Sequence, residues 1–414
     1  MGTSLAALAW RNLWRHRRRT LITLASIGFG VFFAVIFTAI GDRTYGDMID
    51  LAARNGGGHV TIQHPEYIDT PTLSRSVEGA SALAKLALAD PDVVRVVPRI
   101  TGNLMIATAR KSTGAGFIAF DPALEDAGTL SILDAIEEGG IFAASGRPGI
   151  VLGAKLAENL GVRLGRRVVY TTTDKHGELV QEAVRVTGIL RTGTEGLDAG
   201  MALLPLAPFQ TTLGYGPDEV GQVAVFLGDQ RRAHRVAERL SARVGDRAAV
   251  VSWDERSPEL AGFIAMKQGG TQVMEVIILL LVAAGIFNTL FMSVMERVRE
   301  FGVLLAIGFT PARLFAMVMC ESCWLASIGL IAGAAITAGP YWFLSRVGID
   351  VAALADSQGQ MEVAGVGMEA IRAGIHPENA LWIAILALAM TVLSGIYPAL
   401  SAGRVDPVES IRVA

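Results

Sequence analysis

"MERVREFGVLLAIGFTPARL", residues 295–314, lies between two strongly apolar runs, yet its first six residues carry four charges, Glu296, Arg297, Arg299 and Glu300. What such a segment can do depends on the side of a membrane it faces, so the runs around it decide the fold. A hydrocarbon core of about 30 Å takes roughly 20 apolar residues of helix. Four stretches meet that length: 21–40, 276–294, 314–339 and 380–397, the third containing one acid, Glu321. The first is longer than a secretory h-region of about 7–15 residues and no A-x-A site follows it, so an uncleaved anchor is expected.

Composition agrees. The 414 residues are 51% hydrophobic and 18% charged, against about a quarter charged in soluble domains, and the mean hydropathy is +0.44. The basic residues form no sustained basic domain, so nothing supports nucleic acid as a partner and none is expected.

Orientation follows from arginine and lysine near the span ends. Arg11, Arg15, Arg17, Arg18 and Arg19 precede the first span; Arg297, Arg299, Arg313, Arg404 and Arg412 fall on the same side if the spans alternate. Both termini are therefore expected in the cytoplasm. The full expectation is a membrane protein with four transmembrane α-helices and a large mixed α/β periplasmic domain inserted between helices 1 and 2. Its parts are an amphipathic interfacial helix at 1–20, spans at 21–41, 273–294, 314–339 and 380–397, and outer segments at 42–272 and 340–379. Residues 295–313 and the tail 398–414 complete the cytoplasmic side. In the first part, Leu5, Ala9 and Leu13 repeat every four residues beside Ala6, Trp10 and Trp14, as in a helix lying at headgroup level.

The outer segment alternates helical and extended signals. "SALAKLALAD" reads as helix, "VVRVVPRI", "NLMIATA" and "FIAF" as strands, the last two flanking a turn "RKSTGAG". "AKLAENLGV" is a short helix closed by glycine. "DKHG" separates two extended runs as a hairpin turn.

Chemistry-bearing motifs are scarce. Cys320 and Cys323 lie in an apolar helical run and read as small buried hydrophobes. His59 and His64 have no acid or cysteine cluster beside them and read as structural or surface residues. "GIVLGAKLA" lacks the order of a phosphate-cradling Walker A loop. Neither a catalytic site, a cofactor nor a metal is expected in this chain.

Within 295–313, Val298, Phe301, Leu304 and Leu305 recur at helical spacing, then Gly308 and Pro311 signal a turn. A short helix is expected, able to sit in a groove of a soluble partner. "ERVREFGVLLAIGFTPARLFAMVMCES" resembles the signature of the MacB/FtsX-type ABC transporter permeases, which include LolC and LolE. The pattern falls on Glu296, Arg297, Glu300, Phe301, Gly302, Ala306, Gly308, Arg313 and Glu321. The ending "GIYPALSAGRVDPVESIR", with Pro398, Ala399, Ala402, Asp406, Pro407, Val408, Glu409 and Arg412, is similar to the same family's.

That resemblance implies a non-catalytic permease subunit in the bacterial inner membrane. Residues 295–313 would be the coupling helix, docking on a separate ATPase dimer that binds ATP and Mg²⁺. Glu296, Arg297, Arg299 and Glu300 would set the docking, Phe301, Gly302, Val303 and Ala306 would pack it, and Gly308 would end it. A second permease, identical or not, completes the assembly. Glu321 is the intramembrane acid, either a helix-packing partner or a group reaching the cytoplasmic interface. Three uses of the resulting motion compete. They are release of lipoproteins or lipid-linked cargo, MacB-like efflux of peptides or drugs through a periplasmic adaptor, and FtsX-like regulation of a cell-wall hydrolase.

Overall fold

The computed structural model describes residues 5–142, 149–350, 361–363, 366–368 and 370–403. The chain divides into a helical unit, Met1–Thr44, Ile264–Ile349 and Ala370–Ala414, and an α/β unit, Tyr45–Phe263 and Asp350–Glu369.

The helical unit begins with α1 (Leu5–Leu13). Four long apolar helices follow: α2 (Arg17–Arg54), α9 (Pro258–Glu296), α11 (Pro311–Arg346) and α12 (Pro377–Gly403). The short α10 (Val298–Ala306) joins α9 to α11. All four are long and apolar enough to cross a membrane. With a rise of about 1.5 Å per residue, each outruns the apolar stretch that marks it. Hydropathy reports where a helix is greasy, not where its hydrogen bonding stops. The polar "GDRTYGD" after position 40 therefore continues α2, and α11 runs seven residues past 339 into the segment expected as a loop. Residues 1–20 are likewise not one helix, because the chain turns at 14–16 and α2 starts at Arg17. The first residues of the expected tail, 398–403, complete α12; Arg404, Asp406, Pro407, Val408, Glu409 and Arg412 lie outside the described residues.

Glycines set how closely these helices approach. A Cβ on Gly329 would stand 2.6 Å from Ile27 Cγ2, and one on Gly333 2.8 Å from Val31 Cβ. Small residues substitute for a hydrophobic driving force that lipid does not provide. Ala9 and Leu13 of α1 are buried. Trp324 of α11 donates its indole N–H to the Ala6 carbonyl at 3.2 Å and packs edge-on against Trp10. Cys320 and Cys323 are free thiols on α11, and Cys323 is exposed rather than buried because it shares the outward face with Trp324.

In the α/β unit, apart from a short hairpin of Met361–Val363 with Val366–Met368, the described strands in chain order are β1 (Val60–Gln63), β2 (Val77–Glu78), β3 (Val93–Ala107) and β4 (Ser112–Phe120). Next come β5 (Ile136–Gly139), β6 (Gly149–Gly153), β7 (Arg167–Thr173) and β8 (Leu179–Leu190). The set β9 (Met201–Pro205), β10 (Glu219–Val220), β11 (Gln222–Leu227) and β12 (Ala249–Ser252) follows. The main sheet runs β12-β1-β11-β3-β4-β9-β6-β8-β5, with β7 pairing both β3 and β8. β4–β9 and β6–β8 are parallel, which makes the sheet mixed.

The hairpin at "DKHG" is present: β7 pairs antiparallel with β8, and Asp174 accepts from the His176 and Glu178 amides at 2.8 and 2.9 Å. The short helix α4 (Ala154–Leu160) ends at Gly161 with φ 67°, whose amide bonds back into the helix. Two details differ from the sequence reading. "VVRVVPRI" and "NLMIATA" form one strand, β3, and most of "RKSTGAG" belongs to β4. The turn shrinks to 108–111, because the small residues of β4 still pair along the full ladder from Ala107–Ser112 to Arg99–Phe120.

Among the described residues the unit's two largest cores are these. One gathers Phe117, Tyr170 and Phe209, with ring centroids 4.8 and 5.7 Å apart. The other packs the amphipathic helix α7 (Ala233–Val244) on the sheet through Val236, Ala237, Leu240 and Val244. Truncating Leu240 to Ala would cost about 2–5 kcal/mol.

Buried polar groups tie the end of α2 to the sheet. Arg99 is fully buried and spends all five donors. Nε and Nη2 donate to Glu125 at 2.7 and 2.6 Å, and the remaining bonds go to the carbonyls of Arg54, Gly56 and Thr129 at 2.8, 2.5 and 2.6 Å. His59 lies 2.8 Å from Asp50 through Nε2 and accepts the Leu227 amide at Nδ1. His64 is local, accepting the Glu66 amide.

Candidate coupling site

α9 ends at Glu296 and the backbone leaves helical geometry at Arg297, with φ −107° and ψ 9°. α10 then runs to Ala306. Gly308 stops it: its φ of 100° lets its own amide and that of Phe309 bond back to Leu305 and Leu304. Thr310 caps α11, accepting from the Arg313 amide, and Pro311 occupies the first turn, where its missing N–H costs nothing. The expected helix-then-turn therefore exists, as an element separate from both long helices.

Its residues divide by face. Phe301 and Gly302 are buried; Phe301 packs with Val294, Leu314, Met317, Val318, Ala399 and Ala402. Arg299, Val303 and Ala306, spaced i, i+4, i+7, are exposed, and Ile307 is 72% exposed just beyond. The row expected to pack a partner thus splits: Phe301 and Gly302 serve the chain's own core, whereas Val303 and Ala306 face outward.

The charges divide in the same way. Arg297 is buried; its Nη1 donates to Glu321 Oε1 at 3.0 Å, its Nε to Glu300 at 3.2 Å, and its guanidinium lies 5.1 Å from the Phe301 ring centre. Glu321 is thereby a helix-packing partner: it is 6% exposed and joins α11 to α10. Arg15 donates to Glu300 at 2.7 Å and Arg19 to Glu296 at 2.6 Å. Partial burial alone would raise the Glu300 carboxyl, but hydrogen bonds from Arg297 and Arg15 hold it below its ordinary range. Three of the four expected docking charges are thus spent within the chain. Arg299 is exposed and has no carboxylate partner among the described residues.

Sequence reasoning missed Arg15 and Arg19. A signal was available: both pairs are four residues apart, 15 and 19 against 296 and 300, with opposite signs. Alongside them a groove of about 620 Å³ is lined by Leu8 and Asn12 of α1 together with Arg299, Val303, Phe309 and Met317. Arg297 is central to the packing here, and reversing Arg297 and Glu300 together would place a new acid at position 297 beside Glu321.

The profile described as MacB-like periplasmic core domain matches residues 20–243, and that of the FtsX-like permease C-terminal region matches 273–407. The chain belongs to the family of FtsX-like permeases carrying a MacB-like periplasmic core domain. More particularly, it is an ABC transporter permease of the LolC, LolE and MacB type. It is 26% identical over 341 residues to the lipoprotein-releasing system transmembrane protein LolC of Xylella fastidiosa, covering 79% of each chain. It is 21% identical to LolE of Haemophilus influenzae, with 97% of each covered. It is also 24% identical to the macrolide export ATP-binding/permease protein MacB of Nitrobacter winogradskyi, over 95% of this chain and 58% of that one.

Proposed function

We propose that this permease converts ATP hydrolysis by a separate ATPase subunit into motion of its α/β unit on the periplasmic side of the bacterial inner membrane. In this reading the domain between helices α2 and α9 is periplasmic, both termini and residues 295–313 are cytoplasmic, and ATP and Mg²⁺ are held by the ATPase dimer. A second permease subunit completes the transporter. The chain itself performs no bond chemistry; its part is to receive a push at one end and deliver it at the other.

One observation carries the reading: α10 presents Arg299, Val303 and Ala306 outward on one face while Glu296, Arg297 and Glu300 are internally paired. An element held that firmly from behind, with one unpaired cation and an apolar row in front, suits docking in a groove of a soluble partner. Glu296, Arg297 and Glu300 then act by fixing α10 rather than by touching the ATPase.

For cargo, the reading is lipoprotein or lipid-linked substrate, supported by the names of the LolC and LolE relatives. The similarity to macrolide and pyoverdine exporters supports peptide or drug efflux as the second reading. Proteins retained during purification from native membranes separate them: a second, similar permease accompanies the first reading and a periplasmic adaptor the second.

The docking face is tested with Arg299→Glu and Val303→Asp in the full-length chain. Both residues are exposed, so the melting temperature should hold. Capture of the ATPase and cargo-dependent ATP hydrolysis should fall at least about tenfold, as for central interface residues. Unchanged capture and hydrolysis would end the assignment.

A further inference from the structure

α2 carries an exposed stripe that the coupling mechanism does not use. Arg17 and Arg18 in its first turn are exposed and have no hydrogen-bond or carboxylate partner among the described residues. Four residues further along, on the same faces, stand Leu21 and Ile22, 56% and 67% exposed. Phe29 and Phe33 continue the face of Arg18 at i+11 and i+15, both exposed. From Arg18 to Phe29 the helix rises about 16 Å, close to half of a hydrocarbon core of about 30 Å.

A paired cation at one edge and an apolar stripe reaching the midplane have the dimensions of one leaflet. We propose that Arg17 and Arg18 bind the phosphate-bearing headgroup of an anionic phospholipid, whose acyl chains lie along Leu21, Ile22 and Phe29. The inference rests on α2 crossing the membrane and not on what α10 docks.

Charge selects this occupant over a second copy of the chain. A two-fold contact through the same stripe would bring each Arg17–Arg18 doublet against its own equivalent, and like charges face to face oppose association. An anionic headgroup instead supplies the missing counter-charge. Arg15 and Arg19 are already committed to Glu300 and Glu296. Arg17 and Arg18 are the flanking arginines left over.

The test is native mass spectrometry of the full-length chain in mild detergent, titrated with phosphatidylglycerol or phosphatidylcholine of matched chains. Phosphatidylglycerol should bind more tightly, and Arg17→Gln/Arg18→Gln should weaken it by about five-fold per arginine, ~30-fold for both. A control pair in the α/β unit, Arg110→Gln/Lys111→Gln, lowers the net charge equally and should leave binding unchanged. Equal affinity for the two lipids, or full phosphatidylglycerol binding by the Arg17/Arg18 variant, overturns the proposal. Displacement of the lipid by excess inorganic phosphate, or crosslinking of two Phe33→Cys chains in membranes, would do so too, pointing to a free anion or a second copy. No ATPase enters the readout, so failure here leaves the coupling assignment standing, and the converse holds.

Discussion

Arg99 and Arg297 are both buried arginines facing buried glutamates, one in the α/β unit and one in the helical unit, and they are held in different ways. Arg99 has all five donors satisfied: two by Glu125 and three by the carbonyls of Arg54, Gly56 and Thr129. The first of those carbonyls ends α2, where helical C=O groups lack partners of their own, and the second lies in the turn that follows. Arg297 gives Glu321 a single bond, spends another on Glu300, and rests on Phe301. The first arrangement is a cage that fixes one geometry. The second is a single-bond link between two helices.

The difference is sharpest when one partner is removed. Arg99→Met strands Glu125 and the carbonyls of Arg54 and Thr129 in a dry interior, which should cost about 3–5 kcal/mol. Calorimetric or denaturant unfolding of the full-length chain should show the α/β unit losing its cooperative transition at a much lower temperature. A loss below about 1 kcal/mol would mean the cage is not closed in solution.

Removing both partners divides the two sites further. Arg99→Met/Glu125→Leu deletes the ion pair but still leaves the Arg54 and Thr129 carbonyls unpartnered, so about 2–4 kcal/mol of loss should remain. Arg297→Met/Glu321→Met deletes a pair that carries far less else, and apolar replacement of a buried ion pair is often near neutral. Its melting point should stay within the equivalent of about 1 kcal/mol of the parent. Coupled ATP hydrolysis should nevertheless drop, because the guanidinium that fastens α10 through Glu300 and Phe301 is gone. If that double variant hydrolyses and transports normally, the link is only packing.

These contrasts also mark what could be read beforehand. Span-length apolar runs are a property of one stretch of chain, so all four long helices and the short one between them were legible from the sequence. Their ends were not, since polar residues such as those after position 40 extend α2 without changing its hydrogen bonding. On α10, Val298, Phe301, Leu304 and Leu305 announced an apolar row, but the neighbouring row at Val303 and Ala306 is apolar too. Which row turns inward is decided by Leu314, Ala399 and Ala402, far away in sequence. Glu321 stood out as an acid among apolar neighbours; its partner Arg297 did not, because 24 residues and a helix reversal separate them. Arg99 gave no signal at all, being one arginine inside a strand.

The smallest effect is expected at the outer rim of the same site. Arg15 and Glu300 are 58% and 42% exposed, and exposed pairs contribute about 0.2–1 kcal/mol. Arg15→Gln should therefore lower stability slightly at low ionic strength and not at all near 1 M salt, where the screening length is about 3 Å. The pH dependence has a definite sign. The folded-state pKa of Glu300 is depressed, its arginine bonds outweighing the cost of partial burial. Its contribution is thus complete above the ordinary glutamate value of about 4.3 and is lost only as pH falls through the folded value below that. Parent and Arg15→Gln melting curves should differ by a constant amount from pH 6 to 8 and converge only in acid. A difference that changed across neutrality would mean that another group, not Glu300, answers to Arg15, and the fastening of the 14–16 turn to α10 would have to be redrawn.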